Sequence, residues 1–288
     1  MSSLILIDLS AIFWRYWHAS ESEEISSAKR KTIQLVESLI RDHDHCAICT
    51  DAPPYIRKEW YPDYKKGREH PPMAVEELKN TIKELKAIGI PYYGSKGYEA
   101  DDVIYTLADQ GIMAGLDVFI AATDKDLLQI PGAKITEPFD QKVLTPEEKF
   151  GCPAEMVKEV LALCGDTADN IPGVPGIGPK KALQVLDIIG NVSDLLDSDE
   201  QERGKFYVEM PEAMSKNISE NIEQLRMSYK LVTLLTAPVE LVLEAAKKQD
   251  EQVPENITIE DQKQPEETVE TTAVSIQKKS EVAIKSDS

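Results

Sequence analysis

Three short apolar runs mark the first half of the chain, and each stops at an aspartate. Residues 4–7 run into Asp8, residues 46–49 into Thr50 and Asp51, and residues 117–122 into Thr123 and Asp124. Each run is too short for a helix and reads as a buried strand. Beside them, residues 25–41, 74–88 and 100–114 space their apolar positions at the helical period. Strands alternating with helices predict an α/β fold built on a parallel, doubly wound sheet. From residue 153 onward the pattern is helical only, at 154–164, 180–189 and 218–236, which predicts a smaller all-α region. Beyond about residue 240 the chain turns to Glu, Gln, Thr, Ser and Lys without an aromatic residue. Such a tail buries too little apolar surface to offset its ordering entropy and is expected to be disordered. The boundaries expected are therefore 1–150, 151–240 and 241–288.

Composition agrees with a globular chain: 42% of the 288 residues are hydrophobic. No apolar stretch reaches the ~20 residues of a membrane span. Residues 1–8 lack a basic n-region and meet an acid too early for a signal peptide. The expected setting is the reducing cytoplasm, with the four cysteines as thiols. A net charge of −19 at first argues against a nucleic-acid partner. The charge is segregated, however. Residues 241–288 carry 11 acids against 6 bases, and between Arg57 and Arg68 the sign reverses. There Arg57, Lys58, Lys65, Lys66 and Arg68 face only Glu59 and Asp63.

The acids of residues 1–240 are the candidate chemistry. In an open parallel sheet, ligands gather beyond the carboxyl ends of the strands. Asp8, Asp51 and Asp124 all sit at that end, and Asp126 follows Asp124 at the spacing of two that sends both carboxylates one way along an extended chain. Glu99, Asp101 and Asp102 open a predicted helix, with Glu99 and Asp102 on one face. Asp166 and Asp169 add a pair between helices of the second region. Taken singly, such acids cap helices and end strands in turns. Taken together on one rim they repel unless cations hold them. An oxygen-rich set with no nearby His or Cys suits Mg²⁺ or Mn²⁺ rather than zinc. Two such ions serve phosphodiester cleavage by activating water and stabilising the leaving oxygen.

These motifs, in this order, resemble the 5′ nuclease family: Ile7-Asp8, Asp51-Ala52, Tyr64-Lys65-Lys66-Gly67-Arg68, Gly97 to Asp102, Thr123 to Asp126, and Gly165-Asp166 through Lys181. That family includes the 5′-3′ exonuclease domain of DNA polymerase I, phage 5′-exonucleases and flap endonucleases. The resemblance spans residues 1–240 and implies a PIN-like nuclease domain with a helical arch at about residues 55–88. A helix-three-turn-helix module follows it. It implies metal binding by Asp8, Asp51, Glu99, Asp101, Asp102, Asp124, Asp126, Asp166 and Asp169, the first cluster serving the ion nearer the scissile phosphate. It gives Lys65 and Arg68 catalytic contact with that phosphate, which fits the fork of Arg and the compact charge of Lys. Arg15 and Arg57 match further basic positions, and Lys58, Tyr64 and Lys66 are expected to face DNA with them.

Gly173, Gly176 and Gly178, followed by Lys180 and Lys181, read as a helix–hairpin–helix turn. Its amides approach a phosphate at a helix start, so it grips duplex backbone without reading bases. In relatives this turn often holds a monovalent cation such as K⁺. Between His43 and Cys49 the His and Cys residues superficially suggest zinc, but no second ligand pair exists. Trp14 and Trp17 read as packing near the first helix, and Trp60 as either packing or base stacking.

The function implied is a metal-dependent 5′-3′ exonuclease and flap endonuclease acting on 5′ flaps, nicks, gaps or RNA–DNA hybrids, as a monomer. Two rival readings share the sequence features. One is an RNase H-like remover of RNA primers, and the other is a catalytically silent, structure-specific DNA-binding protein. The acidic tail is either a plain solvated segment or a recruitment site for a single-strand-binding protein or another replication factor.

Overall fold

Strand β1 (Ser3–Asp8) lies mid-sheet, and its unbroken apolar sequence reflects burial on both faces. Leu4 and Leu6 enter one core cluster while Ile5 and Ile7 enter another. The other strands are β2 (His45–Cys49), β3 (Tyr92–Tyr93), β4 (Asp117–Ala121), β5 (Lys134–Thr136) and β6 (Val143–Leu144). They are ordered β3-β2-β1-β4-β5-β6, parallel throughout except for the antiparallel β5–β6 edge. Asp8 pairs with Cys49 and Ile7 with Ala121, so the three strand ends are level and their following acids share one rim. The computed structural model describes residues 2–19 and 25–243. The tail beyond residue 243, and its expected disorder and partner, lie outside the described residues.

Helices α1 (Leu9–Ala19), α2 (Ile25–Ile40), α3 (Ile56–Trp60), α4 (Pro72–Ala87) and α5 (Ala100–Met113) belong to the sheet region. Ile12, Val36 and Leu85 from α1, α2 and α4 cover Ile5, Ile7 and Ile48. On the opposite face α5 sets Val103, Ile104 and Leu107 against Leu4 and Leu6. Each fully buried side chain of this size contributes about 1.5–3 kcal/mol relative to exposure. Cys46 and Cys49 fall in different clusters, as alternation along a strand requires, so they do not converge on one ion.

The remaining helices are α6 (Pro146–Phe150), α7 (Ala154–Cys164), α8 (Pro179–Ile189), α9 (Val192–Asp197), α10 (Glu200–Glu209), α11 (Glu212–Glu220) and α12 (Ile222–Val232). The helix expected over 218–236 is instead two, broken at Asn221, whose side-chain amide donates to the Asn217 carbonyl at 2.8 Å. The α5 core continues without a gap into α7, α8 and α12, through Val160, Val185, Leu225 and Leu231. The described residues fall in one compact unit. Among the described residues no helix is long and apolar enough to cross a membrane.

After α12 the chain runs extended along α5 and is laced to one of its faces. Asp102, Thr106 and Gln110, spaced four apart, bind alternate backbone groups of this strap. The Leu235 and Ala237 amides donate to Asp102 and Thr106 at 2.8 Å. Gln110 donates to the Val239 carbonyl at 2.9 Å and accepts from the Leu241 amide at 2.7 Å.

Candidate active site

The acids at the strand ends line a cleft of about 480 Å³. Asp8 and Asp51 come from the ends of β1 and β2, Asp124 from the end of β4, and Asp101 from the first turn of α5. Asp166 and Asp169 reach the same cleft from the loop after α7. Backbone geometry aims several of these groups. The Ala11 amide donates to Asp8 Oδ1 at 2.9 Å, and the Ala100 amide to Asp51 Oδ1 at 3.0 Å. The Asp51 amide is itself held by Ser10 Oγ at 3.1 Å. Asp124 caps a 3-10 turn (Lys125–Gln129) by accepting from the Asp126 amide at 2.8 Å.

Burial and mutual repulsion set the electrostatics. Burial first, then the charges of Asp51 and Asp124, push the Asp8 carboxyl up to about 7. Asp101 is raised well above the carboxylate range by burial and by Asp124 and Asp8. Asp126 rises to about 8, again through burial and then Asp124, and its Oδ1 is buried without a hydrogen-bond partner. Among the described residues no three acidic, His or Cys side chains already enclose one ion. The donor set nevertheless fits hard divalent cations: it is all oxygen, crowded, and costly to ionise without an added positive charge.

Basic side chains enter this acid group from the cleft wall. Lys65 donates to Glu99 Oε1, lies 3.6 Å from Asp169, and has its own amide on the Asp169 carbonyl at 2.9 Å. Arg68 donates to Asp169 Oδ1 and to the Ala168 carbonyl at 3.0 Å. The left-handed backbone at Lys65 (φ 49°) and Gly67 (φ 87°) turns the segment so that both bases face the acids. Lys58 lines the cleft, exposed, whereas Lys66 points outward to Asp63 at 2.8 Å. Arg15 lies over the Phe139 ring and pairs with Glu137 at 2.6 Å, away from the cleft lining.

Five expectations are corrected by burial. Arg57, expected to face DNA, is 3% exposed and pairs with Glu99 and Asp102. Tyr64, also expected at DNA, is 3% exposed, its hydroxyl donating to Glu99 Oε2 at 2.9 Å. Asp102, expected to hold metal, is 0% exposed, and its oxygens are taken by Arg57 and by the Glu99 and Leu235 amides. It is a buried strut, not a rim ligand. Gly173, expected to offer its amide to phosphate, is buried with that amide on Ser228 Oγ at 3.0 Å. Its absent side chain serves packing: a Cβ there would sit 2.3 Å from the Gly165 nitrogen. Gly176, Gly178, Lys180 and Lys181 do lie exposed at the start of α8. Glu99, also expected to hold metal, is 2% exposed and stands behind the rim, its oxygens taken by Lys65, Arg57 and Tyr64.

Sequence reading passed over Lys125, which lines the cleft and donates to Asp166 Oδ2 at 2.5 Å, holding that carboxyl low against the opposing effect of burial. A lysine set between two of the aspartates was the available signal. It also passed over His70, which stacks on Trp14 at 3.6 Å between ring centroids and 7° between planes, at the cleft mouth. Trp14 is therefore a cleft residue as well as a packing one. Trp60 packs on the core and takes the Lys230 ammonium over its ring at 3.8 Å.

Comparison with known proteins bears on the whole described chain. Residues 3–156 match the 5′-3′ exonuclease N-terminal resolvase-like domain, and residues 152–254 match the 5′-3′ exonuclease C-terminal SAM fold. The chain belongs to the 5′-3′ exonuclease family. It is 36% identical over 250 residues to the 5′-3′ exonuclease of Aquifex aeolicus, covering 82% of this chain and 83% of that one. Flap endonuclease Xni of Shewanella pealeana is 34% identical, with 82% and 93% covered. DNA polymerase I of Bacillus caldotenax is 32% identical over 84% of this chain but only 29% of its own length. Membership makes this protein a nuclease of the 5′-3′ exonuclease and flap endonuclease group. The fold agrees: the T5 D15 protein co-crystallised with metal ions superposes with a TM-score of 0.68 at 22% identity, covering 81% of this chain and 90% of that one. The catalytic core of Rad2 in complex with DNA substrate gives 0.55 at 16%, covering 85% and 83%.

Proposed function

We propose that this nuclease hydrolyses phosphodiester bonds at or near 5′ ends of flapped, nicked or gapped DNA, using Mg²⁺ or Mn²⁺. The observation that carries the reading is the group of carboxyls from buried Asp8 and half-buried Asp51, Asp101 and Asp124, which line one cleft together with Lys65 and Arg68. Asp8, Asp51, Asp101 and Asp124 would hold the ion nearer the scissile phosphate. Asp126, Asp166 and Asp169 would hold a second. Such ions supply an activated water and stabilise the departing 3′ oxygen.

The chain's own residues do the rest. Glu99 and Asp169 hold Lys65 and Arg68 at the cleft wall, where a phosphate entering over the acids meets two cations. Lys58 adds charge at the mouth. Gly176, Gly178, Lys180 and Lys181 lie at the start of α8, where helix amides and ammonium groups grip duplex backbone. A K⁺ ion at that turn belongs to the same proposal, and would take the Gly176 carbonyl from Lys181 Nζ, which now donates to it at 2.8 Å. All four cysteines are free, in keeping with work in the reducing cytoplasm.

The test is a 5′-flap duplex labelled at its 5′ end, incubated with the protein in Mg²⁺ and, separately, in EDTA. Release of short 5′ products in Mg²⁺ alone is expected. Intact substrate under both conditions, with DNA bound, would instead support a silent structure-specific binder. Preferential cutting of an RNA-primed strand over its all-DNA counterpart would move the reading to primer removal.

A further inference from the structure

The five N–H donors of Arg57 are all spent inside the protein. Nη1 donates to Glu99 Oε2 and Asp102 Oδ2, each at 2.7 Å. Nη2 donates to Asp102 Oδ1 at 2.7 Å and to the Thr233 carbonyl at 2.8 Å. Nε donates to the Leu231 carbonyl at 2.9 Å. An arginine that reads phosphate keeps its fork free for bidentate contact. This one has no donor left, and its side chain is 4% exposed. Burying a guanidinium is costly unless every charge and donor is matched, and here the match is complete.

What those five bonds join is informative. Arg57 sits on α3, one turn of chain before the segment that carries Lys65 and Arg68. Glu99 and Asp102 bracket Asp101, the α5 acid that lines the cleft. Asp102 also accepts from the Glu99 and Leu235 amides, so the bracket closes on itself and on the strap. The free oxygen of Glu99 holds Lys65. A further bond, from the Ala100 amide to Asp51, carries the same constraint to the end of β2. One guanidinium thus fixes the flanks of Asp101, the anchor of Lys65 and the start of the strap.

We propose that Arg57 is a positioning residue for the hydrolytic reaction: through Glu99 and Asp102 it fixes where Asp101 and Lys65 stand in the cleft, and it makes no contact with DNA. The proposal rests on the hydrolytic reading of the cleft. Without Arg57 the two carboxylates it neutralises gain a net negative charge next to Asp101. They then draw Lys65 inward, away from the phosphate path.

The experiment compares the full chain with Arg57→Met and Arg57→Lys, each checked for cooperative melting. Single-turnover cleavage of a 5′-flap duplex at saturating protein is expected to fall about 100-fold for Met, the scale of a small misplacement of reacting groups. Lys, which keeps the charge but loses the fork, should fall about 10-fold. DNA affinity measured in Ca²⁺ should stay within about threefold, and the slope of log affinity against log salt should not change. Mn²⁺ binding by calorimetry should weaken in both variants. The proposal is overturned if affinity drops and the salt slope falls by about one while the saturated rate is kept, for that is a phosphate contact. It is equally overturned if rate and Mn²⁺ binding match the wild type. Should Arg57→Met fail to melt cooperatively, Arg57→Lys decides by the same readouts. A wild-type protein inactive on flaps would sink the reading of the cleft instead, and the Mn²⁺ isotherms would still report whether Arg57 holds the acids.

Discussion

Replacing Asp101 by Asn keeps its size and removes its charge, which isolates its electrostatic part in the cleft. Asp101→Asn should lower the saturated cleavage rate by roughly 10²–10³-fold, the scale of losing one preorganised charge-stabilising group. Flap binding in Ca²⁺ should remain measurable. Near-normal turnover would remove Asp101 from the ion-holding set. The pH behaviour of its neighbours follows from their raised carboxyls, about 7 for Asp8 and about 8 for Asp126 against an ordinary value of 3.8. The folded protein holds these protons more tightly than the unfolded chain does. Their contribution to stability is therefore full below the ordinary carboxylate range and is lost as pH rises through about 7 to 8. In EDTA the melting temperature should fall by several degrees between about pH 5 and pH 8. Added Mg²⁺ should restore it, and more at the higher pH, because binding must displace those protons. A Mg²⁺ effect that shrinks with rising pH would contradict the assignment. Asp8 was legible because it ends an apolar run, Asp126 because it lies two residues from Asp124, and Asp101 because it opens a helix. The fate of Arg57 was not, since its carbonyl partner Leu231 lies 174 positions away.

Among the elements, the connection between α7 and α8 is the most constrained. Gly165 has φ 72°, and a Cβ there would stand 2.4 Å from the Ile171 carbonyl oxygen and 2.6 Å from the Gly173 nitrogen. The two glycines let the chain close on itself just before and after Asp166 and Asp169. Gly165→Ala should cost about 3 kcal/mol or more, from the left-handed backbone and the backbone clash together. Urea unfolding checks this, and an unchanged midpoint would mean the two backbones part freely. A glycine-rich turn before a helix often offers its amides to phosphate, which is the expectation for Gly173. Packing against Gly165 claimed it, leaving Gly176 and Gly178 at the surface. Strands of two or three residues, β3, β5 and β6, carried too few positions for a period to be seen. The break at Asn221 was hidden because apolar spacing continues across it.

For the whole molecule, a net charge of −19 must be reconciled with a polyanionic substrate. The acids that matter are gathered where divalent ions fit, and the exposed lysines at the start of α8 stand apart from them. Lys180→Ala with Lys181→Ala should weaken duplex affinity and lower the salt slope by about two, roughly one per lost phosphate contact. Cleavage at saturation should change little. If the slope is unaltered in a titration of affinity against salt, the duplex is held elsewhere.

The sequence by itself determined the parallel α/β sheet, the all-α second region, the family, and the placing of Asp8, Asp51 and Asp124 at strand ends. All of these follow from local spacing, because an apolar run fixes a strand and its last residue fixes a rim. Only the tertiary structure decided between neighbours. Asp101 faces the cleft while Asp102 is buried, and Lys65 reaches the acids while Arg57, eight residues earlier, braces them from behind. The physical reason is that burial and hydrogen-bond partners come from distant segments, here α5 and the strap after α12, and no local pattern of charges encodes which base they will claim.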